Sequence, residues 1–215
     1  FAKPFPEGVV PVILTEVRKP TLKENPIIVK IRNVTNTGFK CILMYEDKVG
    51  TPSALKSNVC YMAITPGVGV IDEAKGLMVA AGVSEANAYG SSARSVYFTH
   101  ESDTLRFAEP YIFANLQTSN YDAATMLRRQ GAPLTEKVDG VSYTVGARFK
   151  RVVDTSRKNA SDGTKLSLSN MKDDLGWMVL YTRAEGTSEP TSIEEVDVYD
   201  TLLRPYAVDG VIYVD

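Results

Sequence analysis

Apolar and polar positions in this chain are arranged in short runs, and few of them keep a helical period. Ile27-Ile28-Val29-Lys30-Ile31-Arg32 and residues 40–45 are β-branched or apolar and bounded by turn-forming residues, the pattern of strands. Val141-Ser142-Tyr143-Thr144-Val145 alternates with period two, which predicts a strand with one buried and one solvated face. Asn36-Thr37-Gly38 and Val138-Asp139-Gly140 read as turns, with Gly38 supplying a positive φ in the first. Residues 84–89 and 121–130 are the only short helical candidates. Many short strands between turn signals predict an all-β chain of antiparallel sandwich or barrel type.

An internal repeat organises these strands. Phe1-Ala2-Lys3-Pro4-Phe5 is matched by Phe107-Ala108-Glu109-Pro110-Tyr111, and a strand-like run follows each. Gly38-Phe39-Lys40-Cys41-Ile42-Leu43 lines up with Arg148-Phe149-Lys150-Arg151-Val152-Val153. Residues 58–64, with Tyr61, then match residues 174–180, with Trp177. The second copy is longer, mostly in polar stretches such as 158–165, where insertions are tolerated. Residues 103–106 lead into Phe107 without a counterpart before Phe1, so the first copy is expected to lack a few leading residues. The expected division is a first sandwich over 1–68, a connector over 69–95 rich in Gly, Ala and Ser, and a second sandwich over 96–187. A tail over 188–215 follows, in which 208–214 is suited to a final strand or hairpin. Within the connector, 76–83 is a candidate strand.

Composition narrows the function classes. With 215 residues, 44% of them hydrophobic, the chain can bury one large or two small cores. A net charge of −2 with mixed signs argues against a nucleic-acid groove or a basic membrane face. No apolar run approaches the ~18 residues needed for a membrane-spanning helix. The chain opens on Phe1, which reads as a processed or trimmed start. Cys41 and Cys60 make no disulfide framework; two thiols are preferred over one bridge.

Candidate chemistry is sparse. His100 with Glu101 and Asp103 has neither a second histidine nor a nearby cysteine and is expected in a solvated loop, without a metal. There is no Gly-x-Ser-x-Gly elbow, P-loop or dinucleotide fingerprint, so neither an enzyme nor a cofactor is expected. Asn33-Val34-Thr35 and Asn159-Ala160-Ser161 match the glycosylation sequon. The basic run Arg148–Arg151 alternates along a strand, so its charges are expected on a solvent or interface face.

Taken together, Phe1–Phe5, Pro11-Val12-Ile13-Leu14, Asn33-Val34-Thr35-Asn36-Thr37-Gly38-Phe39 and Tyr61-Met62-Ala63 resemble the H-type lectin domain, well over 1–67 and more weakly over 103–186. The resemblance implies a six-stranded antiparallel sandwich that commonly trimerises and often binds galactose-type sugars. It also implies Phe39, Tyr61, Phe149 and Trp177 in the cores. The family's sugar-binding arginine and Trp-His pair do not carry over: their positions fall near Asn25 or Pro26 and at Glu46-Asp47, and in the second copy at Ser156-Arg157. Tyr45, Glu46 and Asp47 occupy the family's binding loop and are the candidate ligand residues, since sugars stack on rings and donate hydroxyls to carboxylates; the alternative is an ordinary charged turn. The expected function is surface recognition or adhesion toward a glycan or a protein, from an extracellular, cell-surface or virion-associated homo-oligomer, with threefold symmetry favoured. The alternative is a structural subunit of a phage tail, virion appendage or surface filament.

Overall fold

The computed structural model describes residues 1, 3–18, 27–45, 58–88, 92–120, 126–152, 172–183, 199–201, 206–208 and 211–213, the last three segments as backbone only. The described residues form strands and turns with no helix, and every strand pairing is antiparallel. The first strands are β1 (Val12–Arg18), β2 (Ile27–Arg32), β3 (Lys40–Tyr45) and β4 (Asn58–Ile64). Next come β5 (Gly67–Asp72), β6 (Leu77–Ala88), β7 (Arg94–Tyr97), and the small hairpin β8 (Thr99–His100) and β9 (Asp103–Thr104). Then follow β10 (Tyr111–Leu116), β11 (Met126–Arg129), β12 (Leu134–Val138), β13 (Val141–Val152) and β14 (Lys172–Thr182). The tail carries β15 (Tyr199–Thr201), β16 (Tyr206–Val208) and β17 (Val211–Tyr213).

One pairing rule serves both halves of the chain. β1 pairs with β4 and β2 with β3; likewise β10 pairs with β14 and β11 with β13. Further strands extend each pair. β15 joins β4 and β17 joins β3, while β6 joins β14 and β7 joins β13. The tail thus adds strands to the sheets of the first half.

Alternating side chains place the cores. Ile13, Val59, Tyr61 and Ala63 from β1 and β4 meet Ile31, Cys41 and Leu43 from β2 and β3 in one cluster, joined by Phe5 and Phe39. Ala80, Leu175, Trp177 and Val179 from β6 and β14 meet Val96, Ala147 and Phe149 from β7 and β13 in a second. A third cluster joins the halves: Val12 and Ile64 pack on Val79, Ala81 and Met178, the opposite faces of the same strands. Phe39, Tyr61, Phe149 and Trp177 are all buried, as the repeat requires. Phe39 meets Tyr61 edge-on at 5.1 Å, and Phe98 lies 4.9 Å from Trp177.

Several local expectations are corrected. Residues 84–88 are not helical: they finish β6, where Ser84, Asn87 and Ala88 lie opposite residues of β14. Residues 126–129 form β11 on β13, again in place of a helix; Tyr89 and residues 121–125 lie outside the described residues. Pairing with a long neighbouring strand overrides weak local helical preference in both cases. Residues 69–95 are no simple connector, since β6 lies between β14 and β5 inside a sheet. Their small side chains have a packing reason: a Cβ on Gly82 would lie 2.4 Å from the Trp177 ring. In the turn at 35–38 the positive φ is at nearby Asn33 (51°) and not at Gly38. Thr35 organises that turn, its hydroxyl donating to the Gly38 carbonyl at 3.0 Å and accepting from the Gly38 N–H. Asp139 and Gly140 both have positive φ (51° and 82°), as a tight primed hairpin turn demands. Val141 is 51% exposed because it sits at that hairpin's tip.

Candidate functional site

The strands that end their sheets on one side are β1 and β2 in the first half and β10 and β11 in the second. All four contribute to a single cavity of about 350 Å³. Its walls include Thr15 and Val17 of β1, Ile28 and Lys30 of β2, Asn115 of β10, and Met126 and Leu127 of β11. Thr118 and Ser119 close one side, and Arg151 and Asp173 reach it from β13 and β14.

The edges are joined by side chains where no backbone ladder runs. Gln117 presents its amide to Ile13 as a strand would: the Ile13 N–H donates to Oε1, and Nε2 donates to the Ile13 carbonyl, both at 2.8 Å. One step along, Asn115 Nδ2 donates to the Thr15 hydroxyl at 2.8 Å. Gly176 makes room for the Gln117 amide, because a Cβ there would lie 2.5 Å from its Cδ and Nε2.

Charge is buried at this cavity. Arg151 donates through a guanidinium nitrogen to Asp173 Oδ2, and both side chains are almost wholly enclosed. Asp173 Oδ1 accepts from the Thr118 hydroxyl and the Asn120 N–H, each at 3.0 Å. The Thr118 hydroxyl in turn accepts from the Asp174 N–H at 2.8 Å. This network fixes Arg151 against the cavity wall, since every strong acceptor site used on Asp173 has a donor. Lys30 enters from the other half and is only 7% exposed.

The residues expected to bind a ligand are not gathered here. Tyr45 is the last residue of β3, its backbone opposite Ile27 of β2; Glu46 and Asp47 lie outside the described residues. Lys30, Arg151 and Asp173 were not singled out as site residues from sequence. Arg151 was expected on a solvent or interface face, yet it is buried. The period-two count held the signal: Ala147, Phe149 and Arg151 share the inward face, while Arg148 is exposed. His100 pairs with Asp103 in the β8–β9 hairpin, and among the described residues no group of three or more His, Cys, Asp or Glu is placed to hold a metal.

Cys41 and Cys60 are both free thiols. Cys41 lies in the first core with Val59 and Tyr61, and Cys60, between those two on β4, points to the other face of the strand. Burial pushes the Cys41 thiol up to about 12. Set against known protein families, curated proteins and solved structures, the chain matches none.

Proposed function

We propose that this protein is a non-enzymatic recognition module built from two H-type-lectin-like sandwiches, with the ligand seated in the cleft between them. The shared pairing rule of β1–β4 and of β10, β11, β13 and β14 supports the tandem reading. One observation carries the function: the open edges of both halves converge on a cavity that combines buried polar groups with apolar walls. Ligand sites are typically concave, largely apolar and equipped with a few convergent polar groups, and about 350 Å³ lies within their usual range of roughly 300–1,000 Å³. The setting proposed for it is the cell surface, the extracellular space or a virion.

A glycan array on the full chain tests this reading, followed by amide chemical-shift mapping of the best hit. Shifts should cluster at Thr15, Leu116 and Leu127, and Met126→Trp, which fills the cleft mouth, should abolish binding while preserving the far-ultraviolet spectrum. Loss of binding in Tyr45→Ala with none in Met126→Trp would move the site to the loop at Tyr45, Glu46 and Asp47.

A second reading, a subunit of a larger assembly, draws on a different observation. Tyr111 and Phe113 are 73% and 43% exposed, and they share with Met178 and Val79 the face of their sheet that the first half covers only in part. Exposed aromatic patches mark interaction surfaces. Light scattering should then give an oligomeric mass that Tyr111→Lys/Phe113→Lys reduces to that of a monomer; a monomeric parent at micromolar concentration would reject the assembly reading.

A further inference from the structure

The geometry points to a second binding surface, apart from the cleft: the outer face of the sheet made by β7, β11 and residues 146–152 of β13 takes a linear anionic polysaccharide. Val96, Ala147, Phe149 and Arg151 point inward from these strands, so the residues alternating with them point out. Those outward positions carry three cations, Arg128, Arg148 and Lys150, and among the described residues no carboxylate. None of the three cations makes an ion pair with a described residue; the carboxylates that are paired answer Lys75, Arg106 and Arg151 instead. Arg128 stands directly opposite Lys150 across the ladder, and like charges so placed destabilise a sheet. The fold gains nothing from that pair, whereas an anion lying across both relieves the repulsion. Arg148 lies two residues from Lys150 on the same face, about 7 Å along the strand, and the cross-strand pair is about 5 Å apart at Cβ. The exposed Arg94 and Arg129, each opposite Phe149 on a flanking strand, add to the positive field.

Tyr97 on the same face is 55% exposed. Opposite it Gly146 has no side chain, and a Cβ there would lie 2.3 Å from the Val96 carbonyl oxygen, so the position beside the ring stays empty. A sugar ring can lie on that aromatic face while its acidic groups reach the cations. A nucleic acid fits less well. Duplex DNA carries one charge per about 1.7 Å, and a protein whose net charge is −2 repels so dense a polyanion outside this one patch. A sugar chain with sparser acids needs only a few local cations.

Isothermal titration and amide-shift mapping on the full chain test this with five probes: heparin, polygalacturonate, dextran, a short single-stranded DNA and phosphatidylserine vesicles. Heparin or polygalacturonate should bind with a Kd below about 0.1 mM at low salt, weaken as salt rises, and shift amides at Ser95, Arg128 and Lys150. Arg128→Gln/Lys150→Gln should weaken that binding by about tenfold or more, whereas Lys40→Gln/Lys75→Gln, which removes the same net charge elsewhere, should leave it unchanged. Tyr97→Ala should weaken it several-fold. Should the Arg128/Lys150 variant fail to fold, the amide shifts of the parent protein decide. Equal losses in the two double variants would reduce the effect to net charge and overturn the site. Dextran binding as tightly as the acidic chains would overturn the charge assignment. Tighter binding of the DNA or the vesicles than of either polysaccharide would overturn the ligand class. No binding by heparin or polygalacturonate at low salt, or binding that moves cleft amides at Thr15 and Leu127 but none at Ser95 and Lys150, overturns the proposal outright.

Discussion

Replacing Gln117 by Ala tests the joint between the two halves. The side chain is 5% exposed and makes two 2.8 Å hydrogen bonds to the backbone of Ile13, itself wholly buried. Truncation leaves one buried N–H and one buried C=O without their partner, and each such group costs about 1–3 kcal/mol. The sum is about 2–6 kcal/mol. Water entering from the adjoining cleft, beside Asn115 and Thr118, offsets part of it, so about 3 kcal/mol is expected. Urea unfolding followed by Trp177 fluorescence is the assay, since this is the only tryptophan and it is buried. Cys41 thiol exposure reports the other core in the same titration. The two probes should change together in the parent and separate in the variant. Gln117→Glu should cost as much at pH 7, because a carboxylate accepts from the Ile13 N–H but faces the Ile13 carbonyl without a proton. Protonation restores a donor, so this variant's folded-state pKa is raised; its deficit is smallest below the unfolded carboxyl value of about 4, grows as pH rises above it, and levels off once pH passes the raised folded value. Gly176→Ala acts on the same contact by displacing the amide, and should add little to Gln117→Ala in a double-mutant cycle. A Gln117→Ala protein within about 0.5 kcal/mol of the parent would refute the reasoning.

Other outcomes follow from the same packing. Trp177→Ala should lose about 3–5 kcal/mol in denaturant titration as a core truncation; a stable variant that has lost ligand binding would make the ring a sugar platform instead. Asp173→Ala removes the buried carboxylate that Arg151 engages and should cost about 3–5 kcal/mol by the same measurement, more than any exposed ion pair such as Arg106–Glu136. Cys41 titrates near 12 when folded against an ordinary value of 9.0. Its neutral form is favoured by the fold, so its contribution is intact below pH 9 and declines by about 1.4 kcal/mol per pH unit above it. Parent and Cys41→Val stability curves should diverge there and run parallel below pH 8.

The cores were legible because their landmarks are large and periodic. Phe39 and Phe149 follow turn or strand signals at matching places, and Tyr61 and Trp177 sit mid-strand with apolar neighbours; burying them is the only way to remove so much apolar area from water. The hairpin at Asp139-Gly140 was legible for a local reason, positive φ at two successive residues. Residues 69–95 were harder. Gly82 and Ala80 look like linker composition, but their smallness answers to Trp177, nearly a hundred residues later, and local composition cannot register a contact across a sheet. The cleft was illegible for a related reason. Arg151 reads as a solvent or interface charge in its own strand, and its burial, like that of Lys30, depends on which sheet edges meet. That is decided by Gln117 and Asn115 acting across the two halves, contacts with no sequence signature of their own.

The placement of the two sulfur atoms has a practical meaning for where this chain can fold. One sits inside a core and the other turns away on the far side of the same strand, so no covalent cross-link ties any part of the chain to another. A change in redox environment therefore leaves the architecture untouched. The protein should fold as well in a reducing cytosol as in an oxidising exterior, and it can be produced and handled under reductant without losing the shape on which its recognition surface depends.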